Sequence, residues 1–244
     1  MNELQPLDCK SSRAEKYVKL GTAFVSSLGP IGTLIGTIID DSISSAQQSR
    51  IIDFANELYA LYQKQNSELQ NLKEMFERLL SDNANTLLFE VAAKAAINTN
   101  SNMLHHCYAY YIFNNLNNKS MDNIQREKLL RVISELNEYE IIHLINFSIP
   151  SYLGEQDSFF THHEEILMRH SVYVGAPDED IEFNAFYDQY NVTLEQKGLV
   201  FGTPEVKNGK IDFDKKKYKI TQFGRLVVEA IYDEDFFRKT GDTA

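Results

Sequence analysis

The stretch LEQKGLVFGTPEVKNGKIDFDKKKYKITQFGRLVVEAI, residues 194–231, carries the plainest structural signal in the chain. A helix beginning near Ile181 and running through FNAFYDQYNVTLEQK is predicted to close at Gly198, because glycine adopts the left-handed conformation of a helix C-terminus at little steric cost. Leu199-Val200-Phe201 then opens a β-rich run, with a turn signal at Gly202-Thr203-Pro204. Asn208-Gly209 flanked by short strands predicts a hairpin, with Tyr218-Lys219-Ile220 as the β-rich run that follows. Thr221 stands where its hydroxyl can cap a last helix, along which Phe223, Leu226, Val227, Ala230 and Ile231 recur at helical spacing. The resulting order is helix, strand, hairpin, strand, helix.

That is the order of a winged helix-turn-helix domain, and the residues themselves point the same way. "LEQKGLVFGTP" followed by "KKKYKITQFGRLVVEAI" resembles the end of many bacterial winged-helix domains, where a Lys-Gly-Leu turn precedes a hairpin wing and a Leu-Thr-x-x-Gly-Arg sequence opens the final helix. Here that last element is Ile220-Thr221-Gln222-Phe223-Gly224-Arg225. The resemblance covers about residues 120 to 235 and implies a fold rather than a function. With its helical N-terminal half, the whole chain is also similar to the Abi-alpha type abortive-infection proteins of bacteria. That similarity implies a role in phage defence and brings no catalytic residues with it.

Composition narrows the remaining classes. The 244 residues are 43% hydrophobic and 24% charged, enough apolar material for a core of ordinary size, which excludes an intrinsically disordered chain. Two distant cysteines, Cys9 and Cys107, form no disulfide framework and place the chain in a reducing cytoplasm. There are 24 Lys and Arg against 35 Asp and Glu, a net charge of −11. A surface devoted throughout to nucleic acid would need the opposite sign. The surplus is local: residues 120–196 hold 4 basic and 15 acidic residues, which accounts for all of it. Within that segment, Pro177-Asp178-Glu179-Asp180 is placed to open a helix, where the dipole favours anions.

Outward toward the N-terminus the pattern is helical. From about Ser42 to Leu80, Ile51, Leu58, Leu72 and Leu79 share one heptad position and Phe54, Leu61 and Met75 the companion one, with Gln65 and Glu68 as a polar break. This seam fits an intramolecular bundle or a homodimer. Ser81-Asp82-Asn83 marks a turn and helix start, followed by helices over Thr86–Asn98, Met103–Leu116, Met121–Leu136 and, capped by Asn137, Glu138–Asn146. Ahead of these lies LGTAFVSSLGPIGTLIGTII, residues 20–39, with no charge in 20 residues but with four Gly, five Ser or Thr, and Pro30. Its length suits a membrane span. Its small residues, among them Gly29, Gly32 and Gly36, suit close helix packing, so self-association and membrane insertion both stand as readings. Gly36 is followed by Thr37 rather than Lys, so the glycines are not a phosphate-binding loop.

Candidate contact residues follow from the winged-helix reading. Asn184, Gln189 and Asn191 are the amides that a groove-reading helix would offer to base edges. Lys207, Lys210, Lys215, Lys216 and Lys217, with Lys219, place cations on the hairpin, where they would meet phosphates or an acidic partner. The helix itself is acidic, through Glu182, Asp188 and Glu195. His105, His106 and Cys107 are adjacent, so their side chains point about 100° apart and do not readily share one ion. A composite enzyme site of His105, His106, His162 and His163 is a further reading, although no nucleophile or metalloprotease motif is present.

The expectation is therefore a mainly α chain, with a helical bundle or hairpin followed by an α+β winged-helix domain. Its segments are residues 1–40, 41–119 and 120–244. The expected function is non-enzymatic and without cofactor, a bacterial protein-interaction or regulatory protein in antiviral defence. It acts by self-association, with membrane contact through residues 20–39 as one version. The alternative is a DNA-binding transcriptional regulator.

Overall fold

A computed structural model describes residues 44–65, 81–115, 121–150, 157–171, 173–207 and 210–239. Within these residues the protein is mainly helical, with ten helices and one two-stranded antiparallel sheet near the C-terminus. The chain divides into two compact units, Met1–Ser134 and Glu135–Ala244.

The first unit contains α1 (Ser45–Gln65), α2 (Asn83–Ile97), α3 (Asn102–Asn115) and α4 (Asn123–Ser134). Each start has a local cause. Ser44 and Gln47 bond reciprocally through side chain and backbone at the head of α1, and the Asp82 carboxylate accepts from the Ala84 amide at the head of α2. The seam residues Ile51, Phe54, Leu58 and Leu61 are buried, and Phe54 lies 5.7 Å from Phe89 of α2. Ala92, Ala93 and Ala96 let α2 approach its neighbours closely. From Leu104 to Ala109, α3 is buried at every position, the pattern of a central helix packed on all sides. The heptad positions Leu72, Met75 and Leu79 lie outside the described residues.

A buried cation closes this unit. Arg126 of α4 donates from Nη1 to the Asn115 carbonyl at 3.0 Å and from Nη2 to Asn123 Oδ1, while the Tyr111 hydroxyl donates to the Arg126 carbonyl at 2.6 Å. The guanidinium thus supplies donors, and positive charge, to the carbonyl end of α3.

The second unit is arranged around α5 (Glu138–Ser148), whose Ile141, Ile142, Leu144 and Ile145 are buried. Asn137 and Glu140 form a complete capping box at its start. Two short helices, α6 (Ser158–His162) and α7 (Glu164–Leu167), lead to α8 (Asp178–Gln196); β1 (Val200–Lys207), β2 (Lys210–Ile220), α9 (Gln222–Ile231) and α10 (Glu234–Lys239) follow. Helices α7, α8 and α9 and strand β2 all pack on α5. The strands pair from Val200↔Ile220 to Lys207↔Lys210. Instead of the turn expected at Gly202-Thr203-Pro204, β1 runs through and its register shifts between Pro204 and Glu205. Proline lacks the amide needed for a ladder bond, so the irregularity falls beside it. Asn208-Gly209 lies outside the described residues.

The division between the units falls at 134/135, and helix α4 packs on α2 and α3 of the first unit.

Candidate interaction surface

The C-terminal unit holds its exposed elements in place through one turn. At the end of α8 the Leu199 amide donates to the Leu194 carbonyl and the Gly198 amide to Glu195, both at 2.9 Å, and Gly198 sits at φ +70°. This is the C-terminal closure for which glycine is suited. Thr221 then caps α9 through the Gly224 amide at 2.9 Å, while its own hydroxyl donates back to the Gly198 carbonyl at 2.7 Å. Helix α8, the hairpin and α9 therefore meet at a single hydrogen-bonded junction.

Along α8, one stripe holds the segment before it. Asp180, Asn184 and Asp188, four residues apart, clamp the segment that precedes the helix. His170 Nδ1 lies 2.6 Å from Asp180 Oδ1, and its ring stacks on Phe183 with centroids 4.1 Å apart. The Asn184 amide accepts from the His170 backbone amide at 3.1 Å and donates to the His170 carbonyl at 2.9 Å. Arg169 donates to Asp188 at 2.7 Å and lies over the Tyr187 ring.

Two of the three amides expected to face bases are consequently turned inward. Asn184 is 7% exposed and fully occupied by the His170 backbone. Asn191 is 3% exposed and lies against His143, a buried imidazole between Tyr187 and Tyr190. Burial pushes the His143 pKa down to about 4, since the interior penalises the imidazolium, and only the Asn191 and Ile166 contacts oppose that shift. Gln189 alone is exposed.

The opposite stripe faces solvent: Asp178, Ile181, Glu182, Ala185, Phe186 and Gln189 are all exposed. Ile181 is 48% and Phe186 61% exposed, and Phe186 continues into a stack with Tyr190 and Tyr139. Over its whole length α8 has six acidic residues and no Lys, Arg or His. Two large apolar side chains thus stand in water on a charged helix. A sequence signal for it exists in retrospect: apolar residues lie on two faces of α8, more than one core contact needs.

The hairpin is two-faced by its pleat. Residues directly opposite in an antiparallel pair share a face, so the Val200/Ile220, Gly202/Tyr218 and Pro204/Lys216 pairs lie on one side and Phe201/Lys219 and Thr203/Lys217 on the other. Val200 and Ile220 are buried, which identifies the inner side. There Lys216 reaches Glu195 of α8 at 2.8 Å, and the same carboxylate accepts from the Gly202 amide at 3.1 Å. The Lys216 bond holds the Glu195 carboxyl below its ordinary pKa. On the outer side Phe201, Thr203, Lys217 and Lys219 are exposed. Lys207 and Lys210 are register partners in the ladder near the tip. The side chains of Lys207, Lys210 and Lys215 lie outside the described residues.

The chain matches no family model, no curated protein and no solved structure.

Elsewhere, Gly29, Pro30, Gly32 and Gly36 lie outside the described residues. Among the described residues no helix is long and apolar enough to cross a membrane, and no three His, Cys, Asp or Glu side chains gather as a metal ion requires. His106 Nδ1 lies 2.6 Å from Glu57 Oε1, and His105 Nε2 lies 3.2 Å from the Ala96 carbonyl. His162 and His163 belong to the second unit, where the His163 ring lies tilted against Phe159, centroids 4.5 Å apart.

Proposed function

We propose that this chain is a non-enzymatic bacterial protein that works through protein contacts, with its C-terminal unit a winged-helix fold used as an interaction module in the cytoplasm. One observation carries the reading: the helix in the recognition position, α8, presents Asp178, Glu182, Ile181 and Phe186 to solvent and has no cation. Approach to a phosphate backbone requires cations to replace the condensed counterions, and apolar anchors gain nothing there. The same residues suit a protein surface, where exposed aromatic side chains become buried anchors. A place in phage defence is part of the proposal and rests on the resemblance to Abi-alpha type proteins.

The outward lysines Lys217 and Lys219 favour a second reading, a DNA-binding regulator that touches phosphates with its wing. Retention of labelled genomic duplex fragments at low salt separates the two. The interaction module leaves the DNA unbound. Retention that weakens with salt, and weakens further when Lys217 and Lys219 are replaced by Ala, would establish the regulator instead.

A further inference from the structure

We infer that the solvent-facing stripe of α8 is the seat for the outer face of the β1–β2 hairpin of a second copy of this chain, giving a two-fold dimer in which each contact occurs twice. This rests on the reading of α8 as a protein-contact helix and names its partner.

The two surfaces are complementary in charge and in shape of chemistry. On α8, Ile181 and Phe186 stand exposed among carboxylates. Asp180 and Asp188 are engaged with His170 and Arg169, but Asp178, Glu179 and Glu182 have no ion-pair partner among the described residues. On the hairpin the arrangement is the converse: Phe201, 45% exposed, stands directly opposite Lys219, with Lys217 two residues further along the same face. Lys219 likewise has no ion-pair partner among the described residues. An apolar anchor ringed by anions thus exists on the same molecule as an apolar anchor beside cations.

Other occupants fit less well. An anionic membrane or a nucleic acid would be repelled by Asp178, Glu179 and Glu182. Within one molecule the hairpin cannot turn onto this stripe, because its inner face is held to the far end of α8 by the Glu195 bonds to Lys216 and Gly202. A second copy can, and with the two copies related by a two-fold axis each contact is made twice and the assembly closes as a dimer.

The test is sedimentation equilibrium of the full chain at low and high salt, with Glu182→Lys, Lys219→Glu and the two combined. The wild type should dimerise and dissociate as salt rises. Each reversal alone should weaken association at least tenfold, and the combination should restore it, since the pair is then exchanged rather than lost. Phe186→Ser should also dissociate the dimer, with the circular dichroism spectrum of the exposed-site variants unchanged. A wild type that stays monomeric to about 100 µM, a weak-dimer concentration, overturns the inference, as does association that ignores the reversals. Either result without DNA retention leaves α8 a protein-contact helix for some other partner, whereas DNA retention would remove that underlying reading.

Discussion

A Cβ added to Gly224 would lie 2.1 Å from the Leu199 carbonyl oxygen, closer than any side-chain atom can approach a backbone oxygen. The start of α9 is therefore seated directly on the turn that ends α8. Gly224→Ala must push the two apart and strain the Thr221 bonds to Gly198 and Gly224. The expected cost is ~2–4 kcal/mol, the range of overpacking combined with a lost cap. Urea unfolding followed by circular dichroism measures it. An unchanged midpoint would mean that the junction is looser than described.

Asn184 separates clamp from reader. Asn184→Ala removes both bonds to the His170 backbone, a loss of about 1–3 kcal/mol for two ordinary hydrogen bonds. Amide hydrogen exchange at His170 should accelerate in the variant. Intact stability with normal exchange would return Asn184 to the list of residues free for recognition.

Acid should loosen the C-terminal unit. Burial lowers the pKa of His143 to about 4 and, with the charge of His162 adding to the effect, lowers that of His163 to about 4 as well. In the unfolded chain both titrate near 6.5, so between pH 6.5 and 4 the unfolded state binds more protons than the folded one. Stability is full above that window, falls as pH drops through it, and levels off below. His143 alone contributes a fall of about 3 kcal/mol at 1.36 kcal/mol per pKa unit, and the less enclosed His163 contributes less. Unfolding midpoints at pH 7.5, 6, 5 and 4.5 should trace this slope, and His143→Gln should flatten it. A wild-type midpoint constant from pH 7.5 to 4.5 would be incompatible with neutral buried imidazoles.

In the N-terminal unit, Arg126→Met keeps the volume and removes the donors that serve the Asn115 carbonyl and Asn123. Stranding the carbonyl of buried Asn115 costs about 1–3 kcal/mol, while exposed Asn123 turns to water. Thermal unfolding of the variant should show the loss; a gain in stability would mean that the buried charge is a burden that apolar packing relieves.

Elements governed by bonds between near neighbours were legible in the sequence. Asn137, Thr221 and Gly198 each cap or close a helix through residues three to five positions away, and they sit where their chemistry placed them. What depends on distant partners was not legible. Asn184 and Asn191 have the amides of base readers, but their roles are set by His170, 14 residues earlier, and by His143 of another helix. The lysine run appeared as one patch because composition does not know the pleat, which sends Lys216 to Glu195 and Lys217 and Lys219 outward. Helices α6 and α7, five and four residues long, are too short to show a period.

The two stripes of α8 share no residue. Asp180, Asn184 and Asp188 hold the helix to the chain before it, while Asp178, Ile181, Glu182, Ala185, Phe186 and Gln189 carry no part of that attachment. Substitutions can therefore rewrite the outer alphabet one letter at a time without loosening the spine on which it is written. Such a helix can change the surface it shows far faster than it changes how it folds.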